Sequence, residues 1–149
     1  MGWKLLKSRE IKREDGKLYM KRWHILSTPW FGIKLHKIVA SDYDCLHDHP
    51  WSFISLILKG GYVETRRVIT DDKGFSWRAS SEDEFEDVTR IYHPGNILWR
   101  PAKTIHRLEI HQPCWTLVLN LKRSREWGFW TPFGWVHWEK YIPTNGCEA

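Results

Sequence analysis

The sequence predicts an all-β protein closed into a barrel. Three observations carry this: short alternating or apolar runs cut by turn signals, the lack of any sustained helical period, and tryptophans spread along the chain. Eleven of the 149 residues are Trp, and they recur from Trp3 to Trp138, which suits a barrel filled or rimmed by large rings. At 42% hydrophobic content, a chain of 149 residues buries one core and is too short to suggest two, so a single domain over 1–149 is expected. No apolar run approaches membrane-spanning length, and Leu6 stands where a myristoylation signal beginning at Gly2 needs Ser or Thr. The expectation is a soluble, unanchored chain.

Taken in order, strands are expected over 19–26 and 30–40, divided by Thr28-Pro29. The stretch 53–58 is apolar enough for a buried strand, and Gly60-Gly61 turns the chain into a strand over 62–69. Asp71-Asp72-Lys73-Gly74 reads as a hairpin turn into 75–79, followed by an acidic loop over 80–87. Strands over 88–92, 97–100, 105–110 and 114–121 complete the set around the Pro94-Gly95 turn. The aromatic stretch 127–141 is less regular and is expected as a cap or short helix across the barrel.

The net charge of +5 allows an anionic partner without requiring one. Much of it lies near the N-terminus (Lys4, Lys7, Arg9, Lys12, Arg13, Lys17, Lys21, Arg22), interrupted by Glu10, Glu14 and Asp15. No nucleic-acid motif accompanies these residues, so they read as solvated surface. Cys45, Cys114 and Cys147 are an odd set without metal spacing, which implies neither a disulfide framework nor a zinc knuckle and fits a reducing cytoplasm.

Chemistry concentrates at His47-Asp48-His49 and, far along the chain, His106. On a strand, residues two apart share a face, so His47 and His49 can grip one ion while Asp48 points away. A third imidazole from a distant strand completes one side of a coordination sphere and leaves the other open. If the strand runs unbroken through Pro50, then Trp51, Phe53 and Ser55 continue the histidine face; a bulge there would turn Ser52 and Ile54 inward instead. The cavity is expected to be aromatic and apolar, with few polar contacts.

These residues resemble the cupin superfamily, whose motifs run roughly G-x5-H-x-H-x3,4-E-x6-G and G-x5-P-x-G-x2-H-x3-N. His47, His49 and the Gly60-Gly61 pair meet the first; Gly95, Pro101 and His106 meet the second. The resemblance covers the middle half of the chain and implies a double-stranded β-helix, the jelly-roll barrel. It also implies that His47, His49 and His106 hold a divalent transition metal: Fe(II) foremost, with Zn, Mn or Ni as alternatives. Phe53 or Ile54 stands where cupins place a ligand glutamate, so the site is three imidazoles without a carboxylate and should favour an anionic ligand. Around His47-Asp48-His49, Glu64-Thr65 and His106-Arg107-Leu108-Glu109 the wording is similar to that of cysteine dioxygenases. The late Ser-x-His-x-Tyr run of those enzymes is replaced by Thr116-Leu117-Val118-Leu119-Asn120, so the metal ligands carry over and the substrate does not.

Around the metal, Arg100 and Lys103 are candidates to clamp a substrate carboxylate or phosphate, whereas alternation turns Arg107 outward and Leu108 inward. His36 and Trp51 are further candidates for the cavity wall, and Cys45 is read as wall beside His47. Lys122, Arg123, Arg125 and Trp127 form a segment read either as a lid over an anion or as a solvated loop. The function implied is a metal-dependent cupin enzyme, a mononuclear non-haem iron dioxygenase acting on a small polar or anionic molecule. The alternatives are a non-catalytic cupin that binds a nucleotide-like ligand and a metal-dependent isomerase or lyase. The expected partner is the small molecule, with no membrane or nucleic acid; a homodimer is left open.

Overall fold

The computed structural model describes residues 7–70 and 84–141. The first half of the fold comprises β1 (Lys7–Lys12), β2 (Leu18–Ser27), β3 (Phe31–Ile38), β4 (Leu46–His47), β5 (Phe53–Lys59) and β6 (Tyr62–Thr70). The second comprises β7 (Glu84–Tyr92), β8 (Ile97–Arg100), β9 (Ile105–Glu109), β10 (Cys114–Leu121), β11 (Gly128–Thr131), β12 (Gly134–His137) and a 3-10 turn over Trp138–Lys140. The strands form two antiparallel six-stranded sheets, ordered β1-β2-β3-β10-β5-β8 and β12-β11-β4-β9-β6-β7. From β3 to β11 the chain repeatedly crosses between the sheets, which gives the jelly-roll expected from the sequence.

Tight crossings need particular residues. At the β5–β6 turn, Gly60 and Gly61 adopt φ of 88° and 117°. A Cβ at Gly60 would come within 2.4 Å of the Pro113 carbonyl, so both left-handed geometry and lack of space demand glycine.

Four expectations change. β1 is charged and exposed, paired with β2 alone, and therefore carries no apolar alternation; its lysines and arginines suit an edge strand. Residues 84–87 belong to β7 rather than to an acidic loop. The Arg67 guanidinium on β6 donates to both carboxylate oxygens of Asp87, at 2.9 and 3.2 Å, so cross-strand ion pairing accommodates the acidic run. The hairpin expected over 71–79 and the start of that loop lie outside the described residues. Cys45 is disulfide-bonded, contrary to the expectation of unpaired cysteines, whereas Cys114 is a free, buried thiol. In the C-terminal aromatic stretch, β11 and β12 form a hairpin that joins the second sheet against β4, and the expected helix is the single 3-10 turn.

Burial alternates strictly along β3 and β10, and the inner face carries polar residues beside the apolar Ile38, Cys114 and Val118. Lys34, His36, Thr116 and Asn120 are buried on the inner face, while Leu35, Leu117 and Trp115 lie half-buried outside. Apolar packing closes the barrel in two clusters. Ile57, Tyr62, Leu98 and Cys114 form one; Cys45, Phe129 and Tyr141 form the other. Between the two sheets a cavity remains, lined by aromatic, apolar and polar side chains.

Candidate metal centre

β4 is only two residues long because Pro50 and the chain's departure after His47 end the ladder. Its backbone nevertheless keeps strand-like alternation: the Asp48 N–H donates to the Gly128 carbonyl at 3.1 Å and the His49 N–H donates to the Ala102 carbonyl at 3.0 Å, toward opposite neighbours. His47 and His49 thus share one side although His49 lies outside the strand. His106 sits directly opposite His47 on β9. The three ring centroids lie 4.7–5.0 Å apart. One ring nitrogen from each falls within 4.8 Å of the others, and His49 Nε2 is 2.7 Å from His106 Nε2.

Burial keeps two of these rings neutral. It pushes His47 down to about 4, with the His106 ring adding to the effect and Asp42 and Asp48 opposing it. Burial first, then His106 and His47, holds His49 well below the ordinary histidine range. Neutral imidazoles keep the lone pairs that a metal requires.

Behind His106 stands Glu64, 1% exposed and delivered inward from β6. His106 Nδ1 lies 2.6 Å from Glu64 Oε1. Arg100 donates to the same carboxylate through Nε at 2.9 Å and Nη2 at 2.5 Å, and Nη2 also reaches the Tyr92 hydroxyl at 3.1 Å. Burial alone would raise the Glu64 pKa, but the hydrogen bonds from His106 and Arg100 hold it down at about 2. A carboxylate on Nδ1 fixes the tautomer that leaves Nε2 bare toward the other histidines, the arrangement that supports metal-ligating imidazoles. Asp42, which accepts from the Tyr19 hydroxyl and from the Leu108 N–H at 2.6 Å, lies 3.9 Å from His47 Nδ1. Asp48, 1% exposed, points the other way. It accepts from the Gly128 N–H at 2.8 Å and from the Trp135 and Trp130 indoles at 3.1 and 3.3 Å, and pairs with Arg125 at 3.1 Å. The donor set therefore fits one ion, with the acids behind the imidazoles rather than among them.

No protein-family model matches the chain, and no curated protein matches it in sequence. Solved structures do match in shape. Streptomyces albus HEPD, with its substrate 2-hydroxyethylphosphonate and Fe(II) bound, superposes with a TM-score of 0.53 at 13% identity over 80% of this chain and 24% of HEPD. Fe(II)-HppE with the alternative substrate (S)-1-HPP gives 0.55 at 10% identity over 78% of this chain and 56% of HppE. A cupin-2 domain from Rhodospirillum rubrum gives 0.51 at 12% identity over 80% of this chain and 72% of that domain. The chain has the cupin fold. The chain spans about a quarter of HEPD and just over half of HppE, and the likeness is one of fold alone. A closer kinship with cysteine dioxygenases is not shown.

Within this fold the four candidate contacts separate. His36 and Trp51 line a cavity of about 140 Å³ together with the three histidines. Arg100 lines it too, but its Nε and Nη2 are committed to Glu64 and its Nη1 donates to the Trp99 carbonyl, so it positions the carboxylate behind His106 instead of offering a clamp. Lys103 is exposed and does not line the cavity, because the turn before β9 carries it to the surface. Phe53 and Ser55 face inward with Trp51, while Ile54 is 40% exposed, so the inward phase passes through Pro50 intact. Arg107 is turned outward, donating to the Asp44 carbonyl at 2.9 Å. Arg125 is tied to Asp48 and to the His49 and Ala102 carbonyls, and so braces the histidine loop. Cys45 packs with Phe129 and Tyr141, away from the cavity. The lining is aromatic and apolar in large part, as expected, with Trp51, Phe53, Tyr62 and Val118, but it also carries polar groups the expectation left out, among them Arg22, Lys34, His36, Thr116 and Asn120. Glu64 was missed as a site residue because its strand position alone signals it: it shares the inward phase of Tyr62.

Proposed function

We propose that this cupin is a metal-dependent enzyme acting on a small anionic molecule, with His47, His49 and His106 holding one divalent transition ion, Fe(II) first among the candidates. One observation supports this above the rest: three converging imidazoles, one backed by a buried carboxylate at 2.6 Å. When bound, the ion would supply Lewis-acid and one-electron redox chemistry beside the cavity. The chain's own residues do the rest. Glu64 holds the proton on His106 Nδ1, Arg100 keeps Glu64 ionised, and Asp42 with Tyr19 buttresses the His47 side. Because no carboxylate joins the donors among the described residues, an anionic substrate would compensate the ion's charge. The likeness in fold to Fe(II)-bound HEPD and HppE agrees with iron as the first candidate ion.

Metal analysis of protein purified without an affinity tag tests this, followed by oxygen-uptake screening with small anions. Near-stoichiometric metal is expected in the native chain, with loss of most of it in His49→Ala while the β signature in circular dichroism stays. Equal metal content in the two proteins would overturn the ligand assignment.

A further inference from the structure

Opposite the histidines, the wall built by β2 and β3 carries Arg22 and Lys34, which face the same cavity. Lys34 is buried, 9% exposed, with its ammonium 4.3 Å from the centroid of the Trp51 ring. Arg22 donates through Nε to His36 Nε2 at 3.0 Å, so its nearest polar partner is a neutral base. Burial, followed by the charges of Arg22 and Lys34, drives His36 down to about 3, so it contributes no third charge. Among the described residues neither cation is paired with an acid. The two acids that line the cavity are engaged elsewhere: Glu64 with His106 and Arg100, Asp42 with Tyr19 and the Leu108 N–H. Two cations enclosed without a counter-charge are costly unless something else supplies it. The lowering of Lys34 to about 8, from burial and then from Arg22, expresses the same imbalance.

Access to this wall is also basic. Lys34, Trp51 and Asn120 are shared between the cavity and an outer pocket of about 220 Å³, whose rim includes Lys122, Arg123 and His24. Asn120 Oδ1, on the inner wall, is buried and accepts no hydrogen bond from the described residues, so a hydroxyl on the same guest would complete it. Gly32, paired with Asn120 across the strands, provides the room for that amide: a Cβ there would lie 2.9 Å from Asn120 Oδ1.

We infer that Arg22 and Lys34 form a binding site for a doubly charged tetrahedral oxyanion, such as the phosphoryl end of a small phosphate monoester or phosphonate, admitted past Lys122 and Arg123. Two cations match two negative charges; a carboxylate leaves one over. Arg22 can present its remaining guanidinium edge as a fork, and Lys34 acts as a point charge beside it. This deepens the proposed function by naming the substrate's anionic end, and depends on it only in placing that end in the same cavity. Binding at this wall does not require the metal.

The experiment is calorimetric titration of sulfate, inorganic phosphate and acetate into the full chain at constant ionic strength, before and after chelation. Saturable sulfate and phosphate binding is expected, at least tenfold tighter than acetate and insensitive to chelation. It should weaken at least tenfold in Lys34→Met and in Arg22→Gln, persist in Lys34→Arg, and stay unchanged in the exposed control Lys59→Ala. His49→Ala should keep sulfate affinity while losing metal, so that failure of the metal reading and failure of this site give different results. Should Arg22→Gln fail to fold, the Lys34→Met and Lys34→Arg pair decides alone. No saturable binding, affinity equal to that for acetate, affinity unmoved by Lys34→Met, or affinity abolished by chelation or by His49→Ala would each overturn the site.

Discussion

The two walls of the cavity treat charge in opposite ways. On the histidine side, each charge is matched: Glu64 receives His106 and a two-point contact from Arg100, Asp42 receives Tyr19 and a backbone N–H, and Asp48 collects two indoles, an amide and Arg125. On the β2–β3 side, Arg22 and Lys34 stand against a neutral histidine and an indole face. Satisfied polar networks rigidify the groups they hold, whereas an unmatched buried charge favours whatever ligand completes it. The contrast separates a wall built to keep imidazoles in place from one built to receive an anion. It also predicts that substitutions on the two walls differ in sign.

The largest effect belongs to Glu64→Gln. It leaves Arg100 buried opposite a neutral amide and takes the charged acceptor from His106. Breaking a buried pair from one side costs about 3–5 kcal/mol, and loss of the carboxylate behind a metal-bound imidazole weakens metal affinity about 10- to 100-fold. Urea unfolding of chelated protein measures the first and competition with a metal indicator the second. A loss below about 1 kcal/mol would mean that water already shares the Glu64 pair, and the contrast between the walls would collapse.

How much of this was legible in sequence depended on what each position had to satisfy. β8 and β10 appear with the bounds expected, because turn residues flank clean alternation. The three histidines were legible because their spacing within and between the two segments marks them as a set. The polar groups of the cavity were not, because the expectation for its lining followed Trp51, Phe53 and Ser55, and the strands over 30–40 and 114–121 were placed without a face assigned to them. In the fold, Leu35, Trp115, Leu117 and Leu119 face out, and Lys34, His36, Thr116 and Asn120 face in. Period-2 patterning tells which residues share a face, not which face meets the cavity. Glu64 escaped for a related reason: no ligand spacing marks it, and only its phase with Tyr62 points it at His106. The edge strand β1 escaped because an edge with one partner needs no apolar residues.

A pH series sharpens the contrast on the basic side. Burial and the neighbouring Arg22 hold Lys34 at about 8, and the other titratable groups facing it are His36 and His24, both lowered and neutral at pH 7. The cationic form exists below that value, so anion affinity should be full near pH 7 and fall as pH rises past about 8. The expected slope is roughly tenfold, or 1.4 kcal/mol, per unit. Sulfate keeps two charges throughout, so its titration by calorimetry from pH 6.5 to 9.5 reports the protein alone. Lys34→Arg, charged across the range, should flatten the profile. A native profile already flat would place the anion away from Lys34.

The smallest effect, and the one of opposite sign, is the stability of Lys34→Met in ligand-free protein. Methionine keeps the unbranched stem that packs in the wall and discards an ammonium held at 9% exposure without an acid. What is lost is the cation–π contact with Trp51 at 4.3 Å, worth about 0.5–2 kcal/mol, against a desolvation penalty of similar or greater size. The balance is a change of at most about 1 kcal/mol, toward greater stability, read as a higher urea midpoint at unchanged slope. Adding sulfate should reverse the order, because ligand binding stabilises only the protein that binds it. Native chain would then gain on the variant as sulfate rises, while Glu64→Gln would lag at every concentration. If Lys34→Met instead loses as much as Glu64→Gln without ligand, Lys34 is a structural residue, and the two walls follow one rule.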